Sequence, residues 1–185
     1  MKKLLILALF LSQSLPSAYA ASSHNKSVFH LGLAAGGNYT FGAGLSGSHL
    51  IAIGGFGYSA DVSLSFFQDY IFGVEAAAAM QGMILSGGTD TLNTRVFTGM
   101  LIPRLNFDAL GFRHSLGLGF VYGGATGVTG TVPVSQVFGG VAQLKEMFHV
   151  GEKHYFFILG RASFYFAGSP LTSLIPIELM VGFDI

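Results

Sequence analysis

The 185-residue chain has no cysteine and no tryptophan, and only 10% of its residues are charged. Each shortage excludes something. Without cysteine, the fold must stand without disulfides in whatever compartment it occupies. A soluble domain carries about 25% charged residues, so this chain is too poor in charge to clothe a globule in solvated side chains. Long apolar runs are missing as well. Past residue 21 no stretch approaches the ~18 residues that mark a membrane helix. Basic and acidic residues balance at 9 each, which leaves no basic surface for nucleic acid. What the chain does have is 51% hydrophobic residues, 27 glycines and 18 phenylalanines. Too apolar for water and too interrupted for helices, it fits a closed β-barrel in a membrane, because a barrel pairs its backbone groups without leaving an edge.

The N-terminus reads as a removable leader. Lys2 and Lys3 precede the apolar run Leu4 to Leu11, and Ala18 and Ala20 flank Tyr19 in an A-x-A pattern, the three parts of a secretory signal. Cleavage is expected after Ala20, giving a signal peptide over 1–20 and one barrel domain over 21–185. Loss of Lys2 and Lys3 leaves 7 basic against 9 acidic residues. No cysteine stands at the cleavage site to carry a lipid, so membrane association is expected to come from the folded chain.

Alternation with period two runs through the rest of the chain. Tyr58, Ala60, Val62, Leu64 and Phe66 share one face, with Ser59, Asp61, Ser63 and Ser65 on the other. A turn at Gln68 to Tyr70 leads into Phe72, Val74, Ala76, Ala78 and Met80, alternating with Gly73, Glu75, Ala77 and Ala79. At the C-terminus Ile175, Ile177, Leu179, Val181, Phe183 and Ile185 alternate with Pro176, Glu178, Met180, Gly182 and Asp184. Similar patterns at Val28 to Gly36, Thr98 to Phe107, Phe112 to Gly123, Gln136 to Phe148 and His154 to Ala167 bring the expected count to eight strands. The fold class is therefore all-β, an eight-stranded antiparallel up-and-down transmembrane barrel. Connections near Gln68, Ala109 and Gly151 are short, whereas Gly37 to Phe56, Ile84 to Asn93, Gly124 to Pro133 and Gly168 to Ser173 read as longer loops. This is the short-turn, long-loop asymmetry of outer-membrane barrels.

The strand charges Asp61, Glu75, Arg104, Arg113, Arg161 and Glu178 all fall on the polar face, with Asp184 near the end. A charge facing lipid near the midplane costs ~2–4 kcal/mol, so that face is expected to be the lumen and these six residues its charge network. Register arithmetic sets Glu75 opposite Ile102, diagonal to Arg104, and Glu178 near Ser163, diagonal to Arg161. Many other lumen positions are small, among them Ala34, Ala77, Ala79, Gly117 and Gly119. On the apolar face Phe29, Phe66, Phe72, Phe107, Phe112, Phe148, Phe156 and Phe183 lie at the strand ends beside short turns or termini, the lower aromatic girdle of a barrel. Tyr58, Phe120, Tyr122, Phe164 and Phe166 approach the opposite rim.

The segments FFQDYIFGVE (Phe66 to Glu75), IPRLNFDALGFRHSLGLGFVYG (Ile102 to Gly123) and IELMVGFDI at the C-terminus resemble the small eight-stranded outer-membrane barrels of diderm bacteria, most of all the outer membrane protein W type, beside X- and A-type barrels. The resemblance implies a narrow, porin-like barrel for small hydrophobic compounds, with a surface exposed to host or environment. It also implies a C-terminal assembly signal, here Val181, Gly182, Phe183 and Ile185, read by the barrel-insertion machinery. The sequence departs from the usual signal in ending on Ile185 rather than an aromatic residue. Outer-membrane lipid is an expected partner, together with a small hydrophobic solute or a host surface ligand.

No enzyme is expected. Barrel deacylases carry His and Ser on one strand face, but His114 and Ser115 are adjacent and point to opposite faces, and no acid–base–nucleophile set emerges. The histidine spacing gives no metal site, and no cofactor is expected. Two function classes remain: a narrow channel, or a non-conducting structural or host-contact barrel. For the latter, Tyr39, Phe41, Leu50, Ile51 and Ile53 make the first loop too apolar for a solvated tip.

Overall fold

The computed structural model describes residues 29–46, 49–87, 90–127, 135–150, 154–167 and 171–185. The expected signal peptide lies outside them. Eight strands follow in order: β1 (Phe29–Ser46), β2 (His49–Phe66), β3 (Phe72–Gly87), β4 (Asp90–Ala109), β5 (Phe112–Gly127), β6 (Ser135–Val150), β7 (His154–Ala167) and β8 (Leu171–Asp184). Each pairs antiparallel with its sequence neighbour, and β8 returns to β1 to close the barrel. Leu31 and Ile185 exchange backbone hydrogen bonds at that seam.

The strands run 14 to 20 residues, well beyond the ~9–11 needed to cross a bilayer. Two of the expected long loops, Gly37 to Phe56 and Ile84 to Asn93, are corrected accordingly, while residues 128–134 and 168–170 of the other two lie outside the described residues. β1 and β2 stay in register from Phe29↔Phe66 to Ser46↔His49, so most of the stretch from Gly37 to Phe56 is hairpin. Likewise β3 and β4 stay paired to Gly87↔Asp90. These extensions are rich in glycine and lack contrast between faces, so they carry no alternating signal although the ladder continues through them.

At the lower end, where β2 meets β3 and β4 meets β5, the turns are tight. Leu110 and Gly111 both have positive φ, 55° and 81°, as a two-residue type I′ hairpin requires. Phe67 also adopts a positive φ of 57°, and the Tyr70 amide donates to its carbonyl.

Outside, the wall is apolar. Leu33, Val62, Leu101, Leu116, Leu118 and Leu179 are all exposed. Around the lower end, Phe29, Phe66, Phe72, Phe107, Phe112, Phe156 and Phe183 are exposed and Phe148 is half-buried. Phe148 touches the rings of Phe112 and Phe156, with centroids 4.8 and 6.1 Å away. Higher up, Tyr39 packs edge-on against Phe41 and Phe56, and Phe166 packs edge-on against Phe164 and stacks on Phe138. Phe56 and Phe66 stand about ten residues apart on one strand, or ~25 Å along the axis of a barrel tilted by ~40°. That matches the apolar band of a membrane barrel. Tyr58 lies over its register partner Gly82, where a side chain would collide with the ring; the aromatic fills the gap that glycine leaves.

Two prolines interrupt the ladders. Rungs are missing between Leu101↔Phe120 and Arg104↔Gly117 around Pro103, and between Ala162↔Ile177 and Tyr165↔Leu174 around Pro176, while the register on either side stays the same. Proline has no N–H to donate to the ladder.

Candidate functional site

Strand alternation turns every second side chain inward, and the interior is divided by height. Its middle holds two ionic groups. In the first, Glu75 is buried to 1% exposure and accepts from Arg104 Nη1 at 2.8 Å, Gln143 Nε2 at 3.0 Å and Ser65 Oγ at 3.1 Å. Lys145 Nζ lies 3.7 Å from the same carboxylate, donates to both oxygens of Asp184 at 2.8 and 3.0 Å, and sits 3.8 Å over the Phe157 ring. In the second, Arg161 Nη2 donates to Asp61 at 3.0 Å across the lumen, while its Nη1 stands 3.7 Å from Glu178.

The floor is the β2–β3 turn folded across the lower mouth. Gln68 is fully buried and donates to Asp184 at 3.0 Å, and its carbonyl accepts from Arg113 Nε at 2.9 Å. Arg113 also binds Asp108, and Asn106 donates to the Tyr70 carbonyl. Asp69 accepts from the Tyr155 hydroxyl at 2.9 Å, with His30 Nε2 at 3.6 Å. Burial alone would raise the Asp69 carboxyl, but the His30 and Tyr155 contacts and the nearby Arg113 charge outweigh it and hold it below its ordinary 3.8. Because its folded value is depressed, Asp69 stabilises the turn at pH above the ordinary carboxylate range, and this support is lost as pH falls through the lowered value. The protection of the Tyr70 amide against hydrogen exchange, relative to its intrinsic rate, is therefore expected to fall below about pH 4, and this acid-dependent loss of protection should vanish in Asp69→Asn. An unchanged profile in that variant would remove Asp69 as the cause.

Above the charges the lumen is mostly apolar, with the uncharged Asn38, Thr40 and Thr94 as its buried polar side chains. Met83, Leu85, Val96, Val137, Leu174 and Tyr165 are each 2% exposed or less and pack as one cluster with Met100, Ile102, Val121 and Ala125. The Tyr165 hydroxyl donates to Gln81 at the boundary.

Of the six residues read as a lumen network, Asp61, Glu75, Arg104, Arg161 and Glu178 meet in the middle, while Arg113 sits apart in the floor. Glu75 opposes Ile102 as the register arithmetic has it. Glu178 does not face Ser163; it opposes Arg161 directly, because the β7–β8 connection is centred one residue earlier than expected and that shifts the register by two. Lys145 escaped sequence reasoning because the β6 pattern is blurred, although its odd number among inward odd positions of β6 would have marked it. Glu146 and His114 also escaped. They oppose each other in register, and His114 Nδ1 meets the Glu146 carboxylate on the outer wall, with His114 stacked on Phe107 at 5.1 Å and its Nε2 3.0 Å from the Ala109 carbonyl. The pair is one rung inside the Phe112 and Phe148 girdle, where the cost of charge falls off toward the interface. Val181, Phe183 and Ile185 face outward and exposed, with Gly182 between them turned inward.

No protein-family model and no curated protein sequence matches the chain. Among solved structures it is similar to Neisserial surface protein A, with a TM-score of 0.68 at 12% identity over 88% of this chain and 99% of that one. The translocator domain of the autotransporter NalP from Neisseria meningitidis aligns over 98% of this chain and 97% of that one at 14% identity, but its TM-score of 0.29 carries no argument. The chain is a closed, eight-stranded, antiparallel up-and-down barrel that shares its fold with Neisserial surface protein A.

Proposed function

We propose that this chain is a non-conducting β-barrel of the outer membrane of a Gram-negative-type bacterium, whose strand extensions above the upper aromatic ring form a surface toward host or environment. The observation that carries this reading is the apolar cluster across the upper lumen, in which Val96, Val137 and Leu174 are wholly buried. An ion crossing it would lose most of its hydration shell to apolar side chains, with only the neutral Asn38, Thr40 and Thr94 buried at that height. The buried Gln68 and its partners occupy the lower mouth. An eight-stranded barrel is just wide enough for its side chains to fill, and here large ones do so. The wall would meet outer-membrane lipid, and Val181, Gly182, Phe183 and Ile185 would serve the insertion machinery during assembly. The folded protein in planar bilayers is expected to give no unitary conductance steps at neutral pH. Reproducible steps from the purified barrel would overturn the proposal.

The W-type resemblance supports a second reading, a narrow passage for small hydrophobic solutes. The specific observation in its favour is that the upper lumen is apolar rather than charged. Uptake of an apolar dye into barrel-containing vesicles, exceeding that into empty ones, would favour this reading over the first.

A further inference from the structure

The middle of the lumen contains more hydrogen-bonding capacity than its side chains use. Both oxygens of Glu178, Nε and Nη1 of Arg161, Nε2 of Gln81, Oγ1 of Thr98 and Oγ of Ser163 are buried with no protein partner. These are not rim groups: Gln81 is fully buried, and Arg161, Ser163 and Glu178 are each 2% exposed. Buried polar atoms in native proteins are overwhelmingly satisfied by protein or by ordered water, and orphaning several in one place would cost a few kcal/mol for each.

The geometry explains why the side chains do not satisfy one another. Glu178 and Arg161 are direct register partners, yet Nη1 and Oε2 stand 3.7 Å apart. Arg161 is drawn across the lumen to Asp61, to which its Nη2 donates at 3.0 Å. One guanidinium is thus divided between two acids on β8 and β2, the strands that flank β1, and closes fully on only one. A gap beyond 3.5 Å between a donor and an acceptor, both unpartnered, is what a bridging water spans. Small neighbours stand beside it: Ala34 and Ala79 are the register partners of Asp61 on its two sides, and Thr98 follows Ala79 in the next strand. The apolar side chains of the cluster above offer water no hydrogen bond, whereas these polar groups below it do.

We propose that the mid-lumen is a water-binding site, in which internal water bridges Arg161 to Glu178 and extends to Ser163, Thr98 and Gln81. Charge argues for neutral water rather than an anion: among the described lumen residues the buried carboxyl groups Asp61, Glu75, Glu178 and Asp184 balance the cations Arg104, Arg113, Lys145 and Arg161, and the Glu178 carboxylate at the site itself repels an anion. Arg161 itself, close to Glu178, disfavours a metal cation there. The site depends on the orphaned polar atoms and not on whether the barrel conducts, which is read separately from bilayer currents.

The test uses the full folded barrel in detergent. Crystals diffracting to high resolution should show ordered density at hydrogen-bond distance, about 2.7–3.2 Å, from both Arg161 Nη1 and Glu178. A crystal soaked in thallium should show no anomalous peak there. In solution, water-to-protein cross-relaxation should reach the hydroxyls of Ser163 and Thr98 in the parent protein. It should be lost at Ser163 in Glu178→Met, a variant that leaves the Arg161–Asp61 pair intact. Direct closure of Arg161 on Glu178 without intervening density would overturn the proposal, as would a thallium peak at Glu178 or an unchanged cross-relaxation pattern in the variant.

Discussion

Replacing Arg161 with methionine is expected to destabilise the barrel by about 3–5 kcal/mol, the cost of breaking a buried ion pair from one side. The guanidinium is the shared partner of Asp61 and Glu178, and without it two buried carboxyl groups are left with no neighbouring cation inside the same stretch of lumen. Urea unfolding of the micelle-embedded barrel, followed by the gel-mobility difference between folded and unfolded forms, reads the loss. Most of it should be recovered in the triple variant Arg161→Met, Asp61→Asn, Glu178→Gln, because the penalty lies in the uncompensated charge rather than in the missing side chain. A triple variant as unstable as the single one would instead assign the loss to packing of the arginine stem.

Leu118→Arg is expected to be the second severe change. Leu118 is 73% exposed and sits midway between Phe112 of the lower ring and Tyr122 of the upper one. On a soluble sheet, an arginine at such a position would be tolerated within ~0.5 kcal/mol. On a lipid-facing wall near the midplane it costs ~2–4 kcal/mol. Refolding yield into vesicles and the urea midpoint should both fall, while the same substitution at Leu110, 90% exposed in a turn, should leave them unchanged. Equal tolerance at the two positions would mean that the outer wall does not face hydrocarbon.

Sequence reading succeeded or failed for a consistent reason. Alternation is legible only where the two faces differ, as between Tyr58 and Phe66 or between Ile175 and Ile185. It disappears in Gly42 to Gly57, where glycine occupies both faces, and so a paired hairpin looked like a loop. It is blurred in β6, where Lys145 turns inward and Glu146 outward; adjacent charges in a strand must occupy opposite faces, and one of them had to meet the outer wall. The inward apolar residues Met83, Leu85, Val96 and Val137 were hard to place because alternation separates faces by polarity, and a lumen that is apolar in its upper part gives little contrast with an apolar exterior.

The sequence by itself determined that the chain forms strands, that there are eight, and which face of most of them carries charge, since period-two patterning and strand sterics are local properties. Only the tertiary structure decided what the charges do. Whether Arg161 serves Asp61 or Glu178, whether Lys145 reaches Asp184, and whether Gln68 folds across the mouth depend on register and on closure of β8 against β1. Groups more than 100 residues apart in sequence meet there, at distances where a one-residue slip would turn each charge out of the lumen.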